Sequence, residues 1–243
     1  INAAWDMAAR RAGKPVWQLI ADMSPEQLVD LIDFRYITDA LTREEALALL
    51  REAAPGRAQR METLQTRGYP AYTTSPGWLG YSDEKLARLA KEAVKDGFRA
   101  IKIKVGLPDS KEDLRRVAGI RDHLGPDVPL MVDANQQWDR ATALRLGRQL
   151  EEFNLVWIEE PLDAYDFEGH SHLAQVLDTP IATGEMLASV AEHKGLIAAN
   201  GCDIIQPDAP RVGGITQFLR LAALADERGL GLAPHFAMEI HLH

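Results

Sequence analysis

The sequence predicts an α/β fold, a parallel (β/α) barrel, on three observations. From Tyr69 onward short apolar runs alternate with amphipathic helical stretches, the pattern of parallel strands buried on both faces. Three consecutive runs close on a carboxylate, at Asp133, Glu159 and Glu185, and the interval is 26 residues both times. A strand, a loop, a helix and a return loop fill such an interval. Seven strand candidates follow one another with no break in order, which favours a barrel over a doubly wound sheet.

Composition sets the outer bounds. The 243 residues are 46% apolar and 26% charged, ordinary for a globular protein with a substantial core. There is no run of 18 apolar residues and no basic-apolar leader, so nothing argues for a membrane or for export. A net charge of −9 without a basic stripe argues against nucleic acid. The single cysteine, Cys202, excludes an internal disulfide and fits a reducing, cytoplasmic setting; it reads as a small buried residue opening a strand.

Taken in order, residues 1–20 carry helical spacing as far as Gly13, then a Lys-Pro break and a short apolar turn. The chain opens mid-pattern on Ile1, so an incomplete N-terminus is expected. Residues 24–68 hold two helical stretches, each opened by a capping box: Ser24 with Pro25 and Gln27, then Thr42 with Glu45. The expected division is a helical segment, 1–68, and a barrel, 69–243. Expected strands are 69–74, 100–105, 130–134, 156–160, 181–185, 203–208 and 231–235. Helices begin near Ser82, Ser110, Asp139, Asp166, Ser189 and Gly214, several on capping residues.

Barrels of this kind keep their chemistry at the carboxyl ends of the strands. Adjacent strands lie about 4.8 Å apart, so Asp133, Glu159 and Glu185 should converge. Three anions at one place need a cation, and an all-oxygen set suits Mg²⁺. Lys102 and Lys104 alternate on the second strand and point together into the barrel, where two close ammonium groups should depress each other's pKa. Asp208 and His235 end the sixth and seventh strands, an arrangement in which the acid orients the imidazole as base or acid. Glu160, beside Glu159, is a candidate to support its neighbour or to bind substrate, and Asn135 is a second candidate substrate contact.

Weaker features read as structure. Arg211, Gly213 and Gly214 open a helix that could hold an anion. His170 and His172 fall in a helix expected to be on the surface, hence solvated. His241 and His243 have the spacing of a metal pair on a strand, but a helix is due there. Trp138 and Trp157 flank strand ends as core or pocket wall.

Lys102-Ile-Lys104 followed by Asp133, Glu159, Glu185, Asp208 and His235 on successive strands resembles the enolase superfamily, mandelate racemase group. Residues from about 101 to 243, with VDANQQWDR, WIEEPLDAYD, ATGEM, QPDAPRVGG and APHFAMEIHLH, resemble its L-talarate/galactarate dehydratases. FRYITDALTREEAL and YPAYTTSPGWLGYSDEKL resemble its L-fuconate dehydratases. The resemblance implies a (β/α)7β-type TIM barrel, incomplete here, with an N-terminal capping domain and the eighth-strand region absent. It also implies Mg²⁺ on Asp133, Glu159 and Glu185, Lys104 and His235 as bases on opposite faces of an acid sugar, and Lys102 as charge near its carboxylate. The product would be a 2-keto-3-deoxy acid sugar, made by a homo-oligomer; a racemase, a cycloisomerase or an inactive fragment are the alternatives.

Overall fold

The computed structural model describes residues 2–32, 34 and 41–241. The chain divides near Tyr69 into two compact units.

The first unit is helical. α1 (Asn2–Ala12) and α2 (Val16–Ala21) are separated by Gly13 and Pro15, which cannot continue a helix without cost. α3 (Pro25–Asp30) and α4 (Arg43–Ala53) both start on complete capping boxes: Ser24 and Gln27 exchange bonds, as do Thr42 and Glu45. Arg51 of α4 reaches Glu26 of α3 at 2.7 Å. α5 (Arg57–Arg67), which the sequence did not separate from α4, follows a 3-10 turn at Ala54–Gly56. A largely apolar cavity of about 650 Å³ lies among these helices, lined by residues including Met23, Leu28, Leu50 and Met61.

The second unit, Pro70–His241, holds a curled sheet of seven parallel strands in sequence order. They are β1 (Tyr72–Gly77), β2 (Ala100–Lys104), β3 (Leu130–Asp133), β4 (Ile158–Glu159), β5 (Ile181–Thr183), β6 (Ile204–Ile205) and β7 (Gly231–Leu232). Between them run α6 (Asp83–Lys95), α7 (Ser110–Leu124), α8 (Arg140–Leu150), α9 (Phe167–Val176), α10 (Val190–Ala198) and α11 (Ile215–Glu227). A short α12 (Met238–His241) follows β7. This is the seven-stranded, incomplete barrel that the sequence predicts. Side chains of Ser82, Asp139, Asp166 and Ser189 cap their helices as expected, and Asp109 rather than Ser110 caps α7.

The core lies between strands and helices. Ile101 and Ile103 of β2, Leu130 and Val132 of β3 and Ile158 of β4 face outward onto Leu86, Val117, Ile120 and Leu146. Their alternation partners therefore face the barrel axis, which puts Lys102, Lys104, Asp133 and Glu159 inside.

Two expectations need correction. β1 lies three residues later than the predicted 69–74, because pairing overrides the turn-like Ser75-Pro76-Gly77: Tyr72 and Thr73 register with Ala100 and Ile101, then a bulge intervenes before Gly77 meets Ile103. His170 is fully buried on the inner face of α9 with Gly169 and Leu173, not solvated; His172 is exposed. Cys202 is buried as expected, and burial pushes its thiol up to about 12. No helix among the described residues is long and apolar enough to cross a membrane.

Candidate active site

The ladder between β2, β3 and β4 builds the centre. Lys104 registers with Asp133, and Asp133 with Glu159, so both acids and both lysines share one end of the barrel interior. Lys104 Nζ donates to Asp133 Oδ2 at 2.5 Å. Lys102 Nζ bonds Glu159 Oε1, lies 3.5 Å from Asp133 Oδ2, and is within 3.5 Å of the Tyr72 hydroxyl. The two acids are 1% and 0% exposed, and the lysines supply the compensating charge; burial still raises the Glu159 carboxyl above the usual range, with Lys102 working against it.

That arrangement reverses one expectation. Burial is the strongest influence on Lys102 and works against its charge, but Glu159, Tyr72 and Asp133 together outweigh it and raise its pKa. Lys102 is thus a fixed cation, not an ammonium depressed by its neighbour. Asp133 is likewise opposed by burial, yet Lys102, Lys104 and the Asn135 amide hold its carboxyl below the usual range. Burial, then Glu185, Asp133 and Glu159, push the Glu160 carboxyl up to about 8, while Gln136 Nε2 donates to it at 2.9 Å.

Glu185 lies two residues beyond β5, past Gly184, whose φ of 123° turns the chain back over the barrel mouth. Its backbone oxygen accepts from Arg211 at 2.7 Å, and its carboxylate lies 3.4 Å from His235 Nε2. His235 Nδ1 is 2.9 Å from Asp208 Oδ2, a carboxylate oxygen that accepts from the ring N–H, and this bond turns Nε2 toward Glu185. Burial raises the Glu185 carboxyl above the usual range; His235, Lys102 and Lys104 oppose it and Asp133 adds to it, so Glu185 shares its electrostatics with the lysines, Asp133 and His235. Asn135 has φ 44°; its amide donates to Asp133 Oδ1 at 2.9 Å while its side chain is exposed.

The structure gives Trp157, read from the sequence as core or pocket wall, a partner in the site, and adds residues that sequence reasoning missed. Trp157 Nε1 and Gln206 Nε2 both donate to Glu159 Oε2, at 2.9 and 2.8 Å, so this oxygen is fixed from two strands. The alternation Trp157–Glu159 and Gln206–Asp208 was the available signal. Trp78 stands 5.5 Å from Lys104 Nζ, ring to charge, and buried Arg116 bonds the carbonyls of Trp78 and Tyr81 to hold that loop. His241 lies on a helix, as the chain order implies, and His243 is outside the described residues. A cavity of about 250 Å³ opens at the start of the strands beside Tyr72, Met131 and Trp157, on the other side of the residues that bond Glu159 and Lys102.

Asp133, Glu159 and Glu185 fit a hard divalent ion in chemistry: three buried carboxylates at or just past the ends of three successive strands. Among the described residues no three carboxylate, imidazole or thiol side chains close on a single point, and the lysine ammonium groups stand on the acids instead. Binding an ion would exchange those lysine bonds for metal bonds.

Residues 85–243 match the family model described as enolase C-terminal domain-like. The L-talarate/galactarate dehydratase of Salmonella typhimurium is 58% identical over 172 residues, 71% of this chain and 43% of that protein. The L-galactonate dehydratase of Hypocrea jecorina is 45% identical over 241 residues, 97% of this chain and 53% of its own length. The crystal structure of L-talarate dehydratase from Polaromonas sp. JS666, complexed with Mg and L-glucarate, superposes with a TM-score of 0.70 at 54% identity, covering 82% of this chain and 53% of that one. The chain spans about half the length of the relatives it matches.

Proposed function

The chain belongs to the enolase C-terminal domain-like family, and from that premise we propose that it is the barrel of a Mg²⁺-dependent acid-sugar dehydratase acting on galactarate and L-talarate. The observation that carries this reading is the placement of Lys104 on β2 and the Asp208–His235 pair at the ends of β6 and β7, flanking the carboxylates of β3 to β5.

Asp133, Glu159 and Glu185 would hold the ion. When bound, it supplies positive charge facing the substrate carboxylate, which acidifies the α-proton. Lys102 adds a fixed positive charge beside it, consistent with its raised pKa. His235 Nε2 or Lys104 Nζ, on different strands, takes the α-proton from the face it meets. The opposite residue gives a proton to the β-hydroxyl, which leaves as water. The resulting enol collapses to a 2-keto-3-deoxy acid, so the sugar loses one water and nothing is oxidised. Glu160, whose Oε1 accepts from Gln136 at 2.9 Å, lies beside Glu159 and can bind a substrate oxygen, and Asn135 at the mouth can contact the same molecule.

Galactarate and L-talarate differ in configuration at one α-carbon, so each should begin with a different base. The test is α-proton exchange with solvent deuterium by NMR, with product analysis, in His235→Asn and Lys104→Ala. His235→Asn should abolish exchange on one epimer and spare it on the other, with the pattern reversed for Lys104→Ala. Equal loss on both epimers contradicts facing bases, and an epimerised or cyclised product would make the enzyme a racemase or cycloisomerase. One of the relatives matched over 97% of the chain is named for L-galactonate, which makes that monoacid and L-fuconate the next substrates on the panel.

A further inference from the structure

We infer that His241 is a positioning residue for the Asp208–His235 pair, a role that rests on the proton-transfer reading above. β6 and β7 pair over only two residues each, Ile204 with Gly231 and Ile205 with Leu232. Beyond that ladder, two backbone bonds follow, from Ala233 to Ile205 and from His235 to Pro207. The chain then takes two consecutive left-handed residues, Phe236 at φ 47° and Ala237 at φ 40°. Non-glycine residues hold that conformation only where their surroundings over-determine it.

His241 provides that determination. It closes α12, its backbone amide bonding Ala237 O at 3.0 Å. Its Nδ1 lies 2.6 Å from the carbonyl of Phe236, the residue after His235. Its Nε2 lies 3.1 Å from the amide of Ala209, the residue after Asp208. A carbonyl only accepts and an amide only donates, so one neutral tautomer, protonated on Nδ1, satisfies both. Phe218 of α11 packs against the ring at 5.0 Å between centroids. One imidazole therefore pins the turn that carries the acid to the turn that carries the base, without touching either.

The consequence is alignment. The Asp208–His235 bond spans two chain segments whose common ladder has ended, and His241 is a side-chain tie between them past that point. A small drift of the imidazole away from its acid would cost the His235 half-reaction about ten- to a hundredfold. The Lys104 half-reaction, seated on β2, would be untouched.

The test uses the full protein labelled with ¹⁵N-histidine, and compares wild type with His241→Phe, which keeps the ring against Phe218 but loses both bonds. His241→Asn and His241→Gln each leave one end of the tie available. The first readout needs neither substrate nor metal: the His235 Nδ1–H resonance, identified by its loss in His235→Asn, should disappear or broaden in His241→Phe. The second is α-proton exchange on the two epimers, where His241→Phe should lose about tenfold or more on the substrate that starts with His235, with KM and the other epimer changed less than about twofold. If wild type exchanges neither epimer, the functional reading fails while the resonance still decides the tie. An unchanged His235 resonance, or equal loss on both epimers, overturns the inference. Unfolding of all three variants also overturns it, since the ring would then carry stability and not alignment.

Discussion

Replacing Lys102 by methionine tests what holds the acids together before any ion arrives. Methionine nearly matches the lysine stem in volume, so the contact with Tyr72 survives and the change is one of charge. The side chain is 6% exposed and its two acidic partners 1% each, so the variant strands Glu159 beside Asp133 in a dry interior. Breaking a buried pair from one side costs about 3–5 kcal/mol. With a urea slope of about 3 kcal/mol per M, the unfolding midpoint should fall by about 1–2 M in chelator. Saturating Mg²⁺ at about 100 times its Kd stabilises a native-only site by about 2.7 kcal/mol. The variant site, short of one cation, should gain more from Mg²⁺ than wild type, and the gap between them should narrow. Lys102→Met with Glu159→Gln, which removes both partners, should recover most of the loss. Urea unfolding followed by circular dichroism, with chelator and with Mg²⁺, measures all three proteins. A loss below about 1 kcal/mol in chelator, or a gap that widens on adding Mg²⁺, would refute the reasoning.

Two further outcomes follow from packing and burial. A Cβ at Gly77 would stand 2.4 Å from Ile103 Cα and 2.6 Å from Lys102 O, so Gly77→Ala must push β1 off β2 and should lose about 1–3 kcal/mol by the same unfolding assay, whereas a neutral result would mean the bulge relaxes freely. His170 is fully buried, with Nδ1 3.0 Å from Asp166 O, and burial lowers its pKa below 6.5. The unfolded chain therefore binds the proton first as pH falls, so His170 contributes its stability above pH 6.5 and loses it below, by up to about 1.4 kcal/mol per pH unit. Stability measured from pH 7.5 to 5 should fall less steeply in His170→Leu than in wild type, and parallel curves would contradict this.

Periodicity made the sheet legible from sequence because its strands are buried on both faces, and the 26-residue interval placed Asp133 and Glu159 on neighbouring strands where the register has them. Tertiary pairing hid the rest. β1 was displaced because Pro76-Gly77 looks like a turn, while the structure uses the missing Cβ of Gly77 for a close approach to Ile103. His170 was misjudged because GHSHL is polar by composition; its spacing of three from Leu173 was the clue to a buried face. Lys102 was expected to be depressed by Lys104, and only the position of Glu159 reveals the opposite. Gln206, Trp157 and His241 act through partners on other strands or turns, which spacing alone does not connect.

Calorimetric titration with Mg²⁺ of wild type and Glu159→Gln bears most directly on the three carboxylates. A single site should be present in wild type and most of its affinity lost in the variant, while circular dichroism reports an intact barrel, since the substitution removes one ligand and also relieves repulsion with Asp133. Equal affinity in the two proteins would contradict the assignment of Asp133, Glu159 and Glu185 as the metal site.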